Sequence, residues 1–467
     1  MPDRPLRIAL LARSVHPLHG VGGLERHVYD LVRHLIAQGA HITLITKPPL
    51  SNASPIARSA VALDAMVAGG TSRPASAAID DASIAAAERF GVLREAFRLI
   101  TVPYVTFPGA GKRGTTVLDR STAYPLFGWR AGREAVKLAR RGDVDIVHAL
   151  GASGLGYALA RQRHEPTRPF VFNPQGLEEF GATDPRRARL KRAAYAPLQI
   201  AVRACAKAAD VVIATDRALV PTVLKHLPID ASRVEVVPNA IDLTAIDRYR
   251  HQATATTAAA LRARFGIDAA VPVILSVGRL EENKGFHVAA RALGELLRRD
   301  AARPKTASTL AASATSNWRW VLVGDGPYRP AIERIAAAEG LGSRMIVTGR
   351  APDDELHAWY ETAALFVHPT LYEGSSLVTL EAMAHERAVV ATRAGGLPDK
   401  VHPGVNGWLV DPDRADLLAD ALTDALHRDR AELARFGRAS RDIVERDFAW
   451  PVVAARMMAV YHNLLTN

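Results

Sequence analysis

Four charged residues stand out by type and spacing. Arg279 and Lys284 lie five positions apart, directly after an apolar run. A guanidinium fork and an ammonium point charge together suit a diphosphate, although two solvated cations on a loop would read the same way. Glu373 and Glu381 bracket Gly374-Ser375-Ser376-Leu377. Ser375 or Ser376 is a good N-cap, which predicts a helix from Leu377, with Glu373 in the loop before it and Glu381 in its second turn. Free N–H groups at such a helix start bind phosphate, and carboxylates on either side accept hydrogen bonds from sugar hydroxyls. The plainer reading is an acidic helix start with a solvated second glutamate.

Two further patterns invite chemistry and are weaker. Gly20-Val21-Gly22-Gly23 resembles a dinucleotide fingerprint. Its loop from Ser14 is too long for the tight turn, and Thr46-Lys47 supplies no acid for a ribose. Asp143-Val144-Asp145 is a possible metal pair, but it precedes a strand and reads as a turn cap. No His, Asp and Glu cluster has convincing metal spacing.

These residues need elements to hold them. The runs Arg7–Ala12, His41–Thr46, Ile146–Leu150, Phe170–Asn173, Val211–Ala214 and Val234–Val237 are short and β-branched. So are Val273–Val277, Trp320–Val323, Met345–Thr348, Leu365–His368 and Val389–Ala391. They read as buried parallel strands alternating with helices, which gives an α/β class with two open domains divided near residue 240. In such sheets the ligand sits beyond the carboxyl ends of the strands. In the second domain those ends are Gly278-Arg279, Gly324-Asp325-Gly326-Pro327, Gly349-Arg350, Pro369 through Gly374, and Thr392 through Gly396. Glycine there lets a ligand approach the backbone, and five such ends together predict a cleft. Pro48–Asp81, Phe107–Thr116 and Ala301–Asn317 read as loops or insertions, and Pro451–Leu465 as an amphipathic helix.

Composition sets the outer limits. The chain has 467 residues, 48% hydrophobic and 23% charged, so a large core is possible and whole-chain disorder is excluded. The longest stretch free of Asp, Glu, Lys and Arg, Ile146–Ala160, is short of a membrane span. The N-terminal apolar run Ile8–Ala12 is too short for a signal-peptide core. The single cysteine, Cys205, allows no intrachain disulfide, so a cytoplasmic location is expected. Of the net charge of +11, residues 1–240 carry +12 and residues 241–467 carry −1. The first half is therefore suited to something anionic: nucleic acid, a phosphorylated substrate or an acidic membrane face, against a plain solvated surface. No nucleic-acid motif accompanies the charge.

Taken together, the chain resembles the family 4 retaining glycosyltransferases, also called glycosyl transferases group 1. The resemblance rests on Gly22-Gly23-Leu24-Glu25-Arg26-His27-Val28, Asp145-Ile146-Val147-His148, Val237-Pro238-Asn239, Gly278-Arg279-Leu280 through Lys284-Gly285, Gly324-Asp325-Gly326-Pro327, the Glu373-to-Glu381 spacing and Gly395-Gly396. It implies a GT-B fold: two facing Rossmann-like, doubly wound domains, 1–240 on the acceptor side and 241–450 binding a nucleotide sugar. The active site would lie in the cleft between them, and 451–467 would form a helix crossing back to the first domain. By the same resemblance Arg279 and Lys284 hold the diphosphate, helped by amides at Ser375, Ser376 and Leu377. Glu381 takes the ribose, Glu373 holds the donor sugar, and Gly278 and the backbone around Arg350 complete the donor site. Gly22 and Gly23 approach the phosphate from the first domain. His148 faces the transferring sugar; a buried structural histidine is the other reading there. Retention in this family is explained by same-face attack, with the leaving phosphate taking the acceptor proton and no metal or other cofactor required.

Three positions differ from the common pattern. Leu150 stands where many members have a second histidine, Asn173-Pro174-Gln175-Gly176 replaces Thr-x-His-Gly, and Pro238-Asn239-Ala240 replaces Pro-Asn-Gly. The expected partners are a nucleotide-sugar donor and a glycan, lipid-linked or small-molecule acceptor, without nucleic acid. Peripheral contact with the anionic inner face of a membrane is a further expectation. It comes from Arg186, Arg187, Arg189, Lys191, Arg192, Arg203 and Lys207, interleaved with Leu190, Tyr195, Leu198, Ile200 and Val202. The competing functions are a sugar-nucleotide epimerase on the same fold and a catalytically silent nucleotide-sugar-binding protein.

Overall fold

The computed structural model describes residues 4–19, 22–49, 96–106, 115–175, 177, 179–180, 193–252, 255–302 and 317–466. The Pro48–Asp81, Phe107–Thr116 and Ala301–Asn317 segments lie largely outside them, as do the basic residues between 186 and 192. The chain divides into two compact units. The first comprises Met1–Thr215, Leu219–Val237 and Trp450–Asn467; the second comprises Asp216–Ala218 and Pro238–Ala449.

The first unit is built on a parallel sheet of β1 (Arg7–Leu11), β2 (His41–Thr46), β3 (Phe97–Thr101), β4 (Ile146–Leu150), β5 (Phe170–Asn173), β6 (Val211–Ala214) and β7 (Val234–Val236). Their order is β3-β2-β1-β4-β5-β6-β7. Ile8 sits opposite both Ile42 and Ile146, so β1 is flanked by β2 and β4, and the winding reverses there. Helix α1 (Gly23–Ala37) follows β1, and α2 (Thr115–Arg141) precedes β4. Then come α3 (Leu155–Gln162), α4 (Ala196–Ala208) and α5 (Val220–His226). Helices α2 and α3 approach to backbone contact. A Cβ on Gly132 would lie 2.2 Å from the Tyr157 nitrogen, and one on Gly156 would lie 2.0 Å from the Trp129 carbonyl oxygen. No side chain larger than hydrogen fits between them.

The second unit opens with α6 (Leu243–Gln252) and α7 (Ala255–Arg264). Its sheet holds β8 (Val273–Val277), β9 (Arg319–Val323), β10 (Met345–Gly349), β11 (Leu365–His368), β12 (Ala388–Thr392) and β13 (Gly407–Val410), ordered β10-β9-β8-β11-β12-β13. Here the winding reverses between β8 and β11. The associated helices are α8 (Phe286–Ala302), α9 (Arg329–Ala338), α10 (Asp353–Thr362), α11 (Leu377–Ala384), α12 (Ala415–His427) and α13 (Arg430–Ile443). Strands β8 and β12 are buried along their whole length, as helices on both faces require.

The last helix, α14 (Trp450–Thr466), belongs to the first unit. Trp450 stacks on His34 of α1 with centroids 5.5 Å apart and lies 5.4 Å from His27. Strands β3 and β13 are additions to the runs read from sequence. Both are edge strands: β3 carries Arg98 and is largely half-buried or exposed, and β13 is four residues long and opens with glycine.

Candidate active site

Of the predicted donor residues, Lys284 and Glu373 meet at the reversal point of the second sheet, between β8 and β11. Strand β8 leads through Gly278, Arg279 and buried Leu280 into a short 3-10 turn at Glu282–Lys284, and α8 begins at Phe286. Strand β11 ends in His368, and its loop runs through Glu373 to Ser376, the N-cap of α11. The Ser376 hydroxyl accepts from the Thr379 amide. The two loops are stitched at Asn283, whose carbonyl accepts from the Leu371 amide at 2.8 Å and the Thr370 hydroxyl at 2.9 Å.

At the centre, the Lys284 ammonium donates to Glu373 Oε2 at 2.7 Å, and His368 Nε2 meets the same oxygen at 2.9 Å. Burial alone would raise the Glu373 pKa. The His368 bond and the Lys284 charge outweigh it and hold the carboxyl at about 2. Glu373 is therefore ionised and accepts, so His368 carries its proton on Nε2. Burial lowers the His368 pKa, and its Nδ1 has no partner among the described residues. Both contacts fall on Oε2.

Glu381 projects from α11 and accepts from the buried Tyr360 hydroxyl at 2.8 Å. Burial first, then the Glu381 charge, pushes the Tyr360 phenol far above its ordinary range, so it stays a donor. Ser375 is held from below by Lys400, whose ammonium reaches its hydroxyl at 3.2 Å and the Gly396 carbonyl at 3.1 Å. Lys400 is fully buried and pairs with Asp216, which groups with this unit. Arg279 stands apart: its side chain is 71% exposed and paired with Glu281 at 2.8 Å. Arg350 is exposed after Gly349. In the first unit, Gly22 caps α1 and Gly23 opens it, both exposed.

The structure bears on two expectations. Of the two readings of His148, the buried one describes its surroundings here, with Nε2 unpartnered among the described residues. It is completely buried in the middle of β4, and its Nδ1 lies 2.7 Å from the Tyr461 hydroxyl of α14. Burial depresses its pKa to about 3, so it is a neutral core residue. Two of the strand-end glycines, Gly324 and Gly395, also have a different use. A Cβ on Gly324 would lie 1.9 Å from the Gly278 carbonyl oxygen, and one on Gly395 would lie 1.8 Å from that of Glu373. Their missing side chains are occupied by neighbouring loops, which they allow to interlock. Asp145 binds Arg4 and Arg7, each at 2.9 Å, so it ties strand ends together.

Tyr360, His368 and Lys400 were absent from the sequence reading. Only His368 left a trace there, as a polar residue closing an apolar run just before the glutamate loop.

Two parallel, doubly wound sheets in two units make up the GT-B fold of glycosyltransferases. A family described as Glycosyltransferase Family 4 matches residues 21–245, and one described as Glycosyl transferases group 1 matches residues 271–428. The chain belongs to this family of glycosyltransferases. It is 27% identical to a D-inositol 3-phosphate glycosyltransferase of Xylanimonas cellulosilytica, over 97% of this chain and 96% of that one. It is 31% identical to another of the same name from Corynebacterium efficiens, over 55% of this chain and 57% of the relative's length. Among solved structures, Anabaena HepE in complex with UDP-glucose superposes with a TM-score of 0.60 at 19% identity, covering 98% of this chain and 100% of that one. No helix among the described residues is long and apolar enough to cross a membrane.

Proposed function

We propose that this glycosyltransferase moves a sugar from a nucleoside-diphosphate sugar to an acceptor hydroxyl with retention of anomeric configuration. The observation that carries the reading is the Lys284–Glu373–His368 cluster on the reversal point of the second sheet. The donor diphosphate lies along Lys284, Arg279 and the start of α11. Glu381 takes the ribose hydroxyls, and Glu373 takes the sugar hydroxyls. The C1–O bond to the diphosphate breaks, and the acceptor oxygen bonds to C1 on the same face. The acceptor proton passes to the departing phosphate oxygen. Cations preorganised at the leaving group supply the main stabilisation of that charge. With two cations in this role the reading includes no bound metal, and turnover should be unchanged by EDTA. The UDP-glucose in HepE supports uridine as the first nucleotide to try.

The test is calorimetry with UDP, GDP and ADP, followed by an NMR assay of product configuration with the sugar donor of whichever binds. An inverted product overturns retention, and absence of binding by all three overturns the donor site. The proposal includes reversible contact of the basic first unit with anionic membrane. It is supported by exposed Leu126 and Trp129 on α2 and Ile200 on α4. Co-sedimentation with anionic but not neutral vesicles, lost at high salt, is the expected result; no low-salt binding rules it out.

A further inference from the structure

The first unit gathers its own polar cluster on its reversal point, apart from the donor residues. Arg13 follows β1, Lys47 follows β2, Tyr104 follows β3, and Asp119 and Tyr124 stand on α2. The Arg13 guanidinium lies over the Tyr124 ring at 4.7 Å, and the Lys47 ammonium lies over the Tyr104 ring at 5.4 Å. Both rings are themselves anchored. Tyr124 donates to the carbonyl of Leu150, the last residue of β4, at 2.9 Å, and Tyr104 donates to Asp119 Oδ2 at 3.0 Å. Two cations are thereby fixed at the sheet position where open α/β folds take their ligands.

Two features of the cluster point to a ligand of particular chemistry. Arg13 Nε and Asp119 Oδ1 are buried and have no partner among the described residues. One is a donor and the other an acceptor, and buried polar groups are rarely left unmatched. The two cations also crowd each other. Lys47 is pushed below its ordinary range by burial and then by the Arg13 charge, ahead of the opposing pull of Glu25 and Asp119. An anion bound between them relieves that repulsion.

We propose that Arg13 and Lys47 bind an anionic group, phosphate or carboxylate, carried by a polyhydroxylated acceptor, with Asp119 Oδ1 accepting from a neighbouring hydroxyl. The inference rests on the glycosyltransferase reading above and narrows its acceptor to a sugar or polyol bearing a phosphate or a carboxylate. Arg13 and Lys47 are then specificity determinants for the acceptor.

The test is calorimetry on the full chain with four probes: inorganic phosphate, glucose 6-phosphate, glucuronate and glucose. Wild type, Arg13→Gln and Lys47→Gln are compared, and each titration is repeated with Lys284→Ala so that anions held by the donor cations are told apart. Wild type should prefer glucose 6-phosphate or glucuronate over glucose by tenfold or more. Both glutamine variants should lose that preference, and Lys284→Ala should keep it. A response to glucose 6-phosphate and inorganic phosphate alone assigns phosphate; a response to glucuronate alone assigns carboxylate. No preference for either anion, a preference untouched by both glutamine variants, or one lost only with Lys284→Ala overturns the subsite. Should Arg13→Gln fail to fold, Lys47→Gln decides alone. UDP, GDP and ADP are titrated in parallel. Failure of all three with the anion preference intact overturns the donor reading and not this subsite.

Discussion

His148 on β4 and His368 on β11 occupy corresponding strands, each the partner gained by its sheet's first strand where the winding reverses. Both are fully buried, and burial lowers the pKa of both. They differ in where along the strand they stand and in what they meet. His148 is the middle residue of its strand and meets Tyr461, a neutral hydroxyl of the last helix. His368 is the final residue of its strand and meets Glu373, an ionised carboxylate in the loop before α11. A histidine inside a strand serves packing, whereas one at its carboxyl end can orient a loop. Residue type alone does not separate the two uses; two positions along a strand do.

The largest expected effect tests the carboxylate side of this contrast. Lys284→Ala should lower kcat/KM by about 100-fold or more, ~2.7 kcal/mol, because on the proposed reading it removes a diphosphate cation. It also strips Glu373 of the charge that helps hold its pKa near 2. The acid limb of the pH–rate profile should then move up toward the ordinary carboxylate range. Near-normal turnover would remove the donor site from this sheet. Arg279→Ala, at an exposed side chain already paired with Glu281, should cost less than Lys284→Ala.

His368→Ala should lower kcat by roughly tenfold while leaving binding of the free nucleoside diphosphate unchanged. His368→Gln, which can still donate to Glu373, should recover part of the loss. A fall in diphosphate affinity equal to the fall in kcat would show that the histidine serves the fold alone.

His148→Phe should leave kcat unchanged and cost ~1–2 kcal/mol of stability at neutral pH, by stranding the Tyr461 hydroxyl. The sign of the pH dependence follows from the depressed pKa. With the folded His148 near 3 and the unfolded chain near 6.5, wild type loses stability as pH falls below 6.5. His27, held at about 4 by burial, acts in the same direction. His148→Phe should therefore flatten the stability profile between pH 6.5 and 4, by about 1.4 kcal/mol per pH unit. Chemical denaturation across that range is the measurement, and an unchanged slope contradicts the assignment.

The smallest effect concerns Tyr360. Tyr360→Phe should weaken nucleoside diphosphate binding by about fivefold, ~1 kcal/mol, through a less oriented Glu381. Glu381→Ala should weaken it further, while Glu373→Ala should lower turnover and leave diphosphate binding nearly intact. Equal loss of diphosphate affinity for Glu381→Ala and Glu373→Ala would contradict the separation of their roles.

Central strands were legible in the sequence because burial on both faces demands short β-branched runs, as in Val273–Val277 and Ile146–Leu150. Two of the four edge strands were not: Phe97–Thr101 carries Arg98 and Gly407–Val410 opens with glycine, whereas the apolar edge runs at Val234–Val236 and Met345–Gly349 were. The glutamates and cations of the candidate site were legible because they follow strands. Their couplings were not. Lys284 meets Glu373 across 89 positions, and Lys400 meets Ser375 through a loop crossing that no local spacing records. Gly324 and Gly395 misled for a physical reason. A missing Cβ marks close approach, and a neighbouring loop satisfies that as well as a ligand would.

The placement of α14 in the first unit has a bearing on how the protein is made. When a ribosome has released Val237, that unit still lacks the helix that covers His27, His34 and His148. Roughly 200 residues must be added before Trp450 emerges, which at typical synthesis rates takes about 10–40 s. During that interval the nascent half lacks the cover that α14 gives to these three imidazoles. The second unit, which follows and needs nothing later in the chain than Ala449, can complete its fold first. The half that begins the sequence is thus the last to be finished.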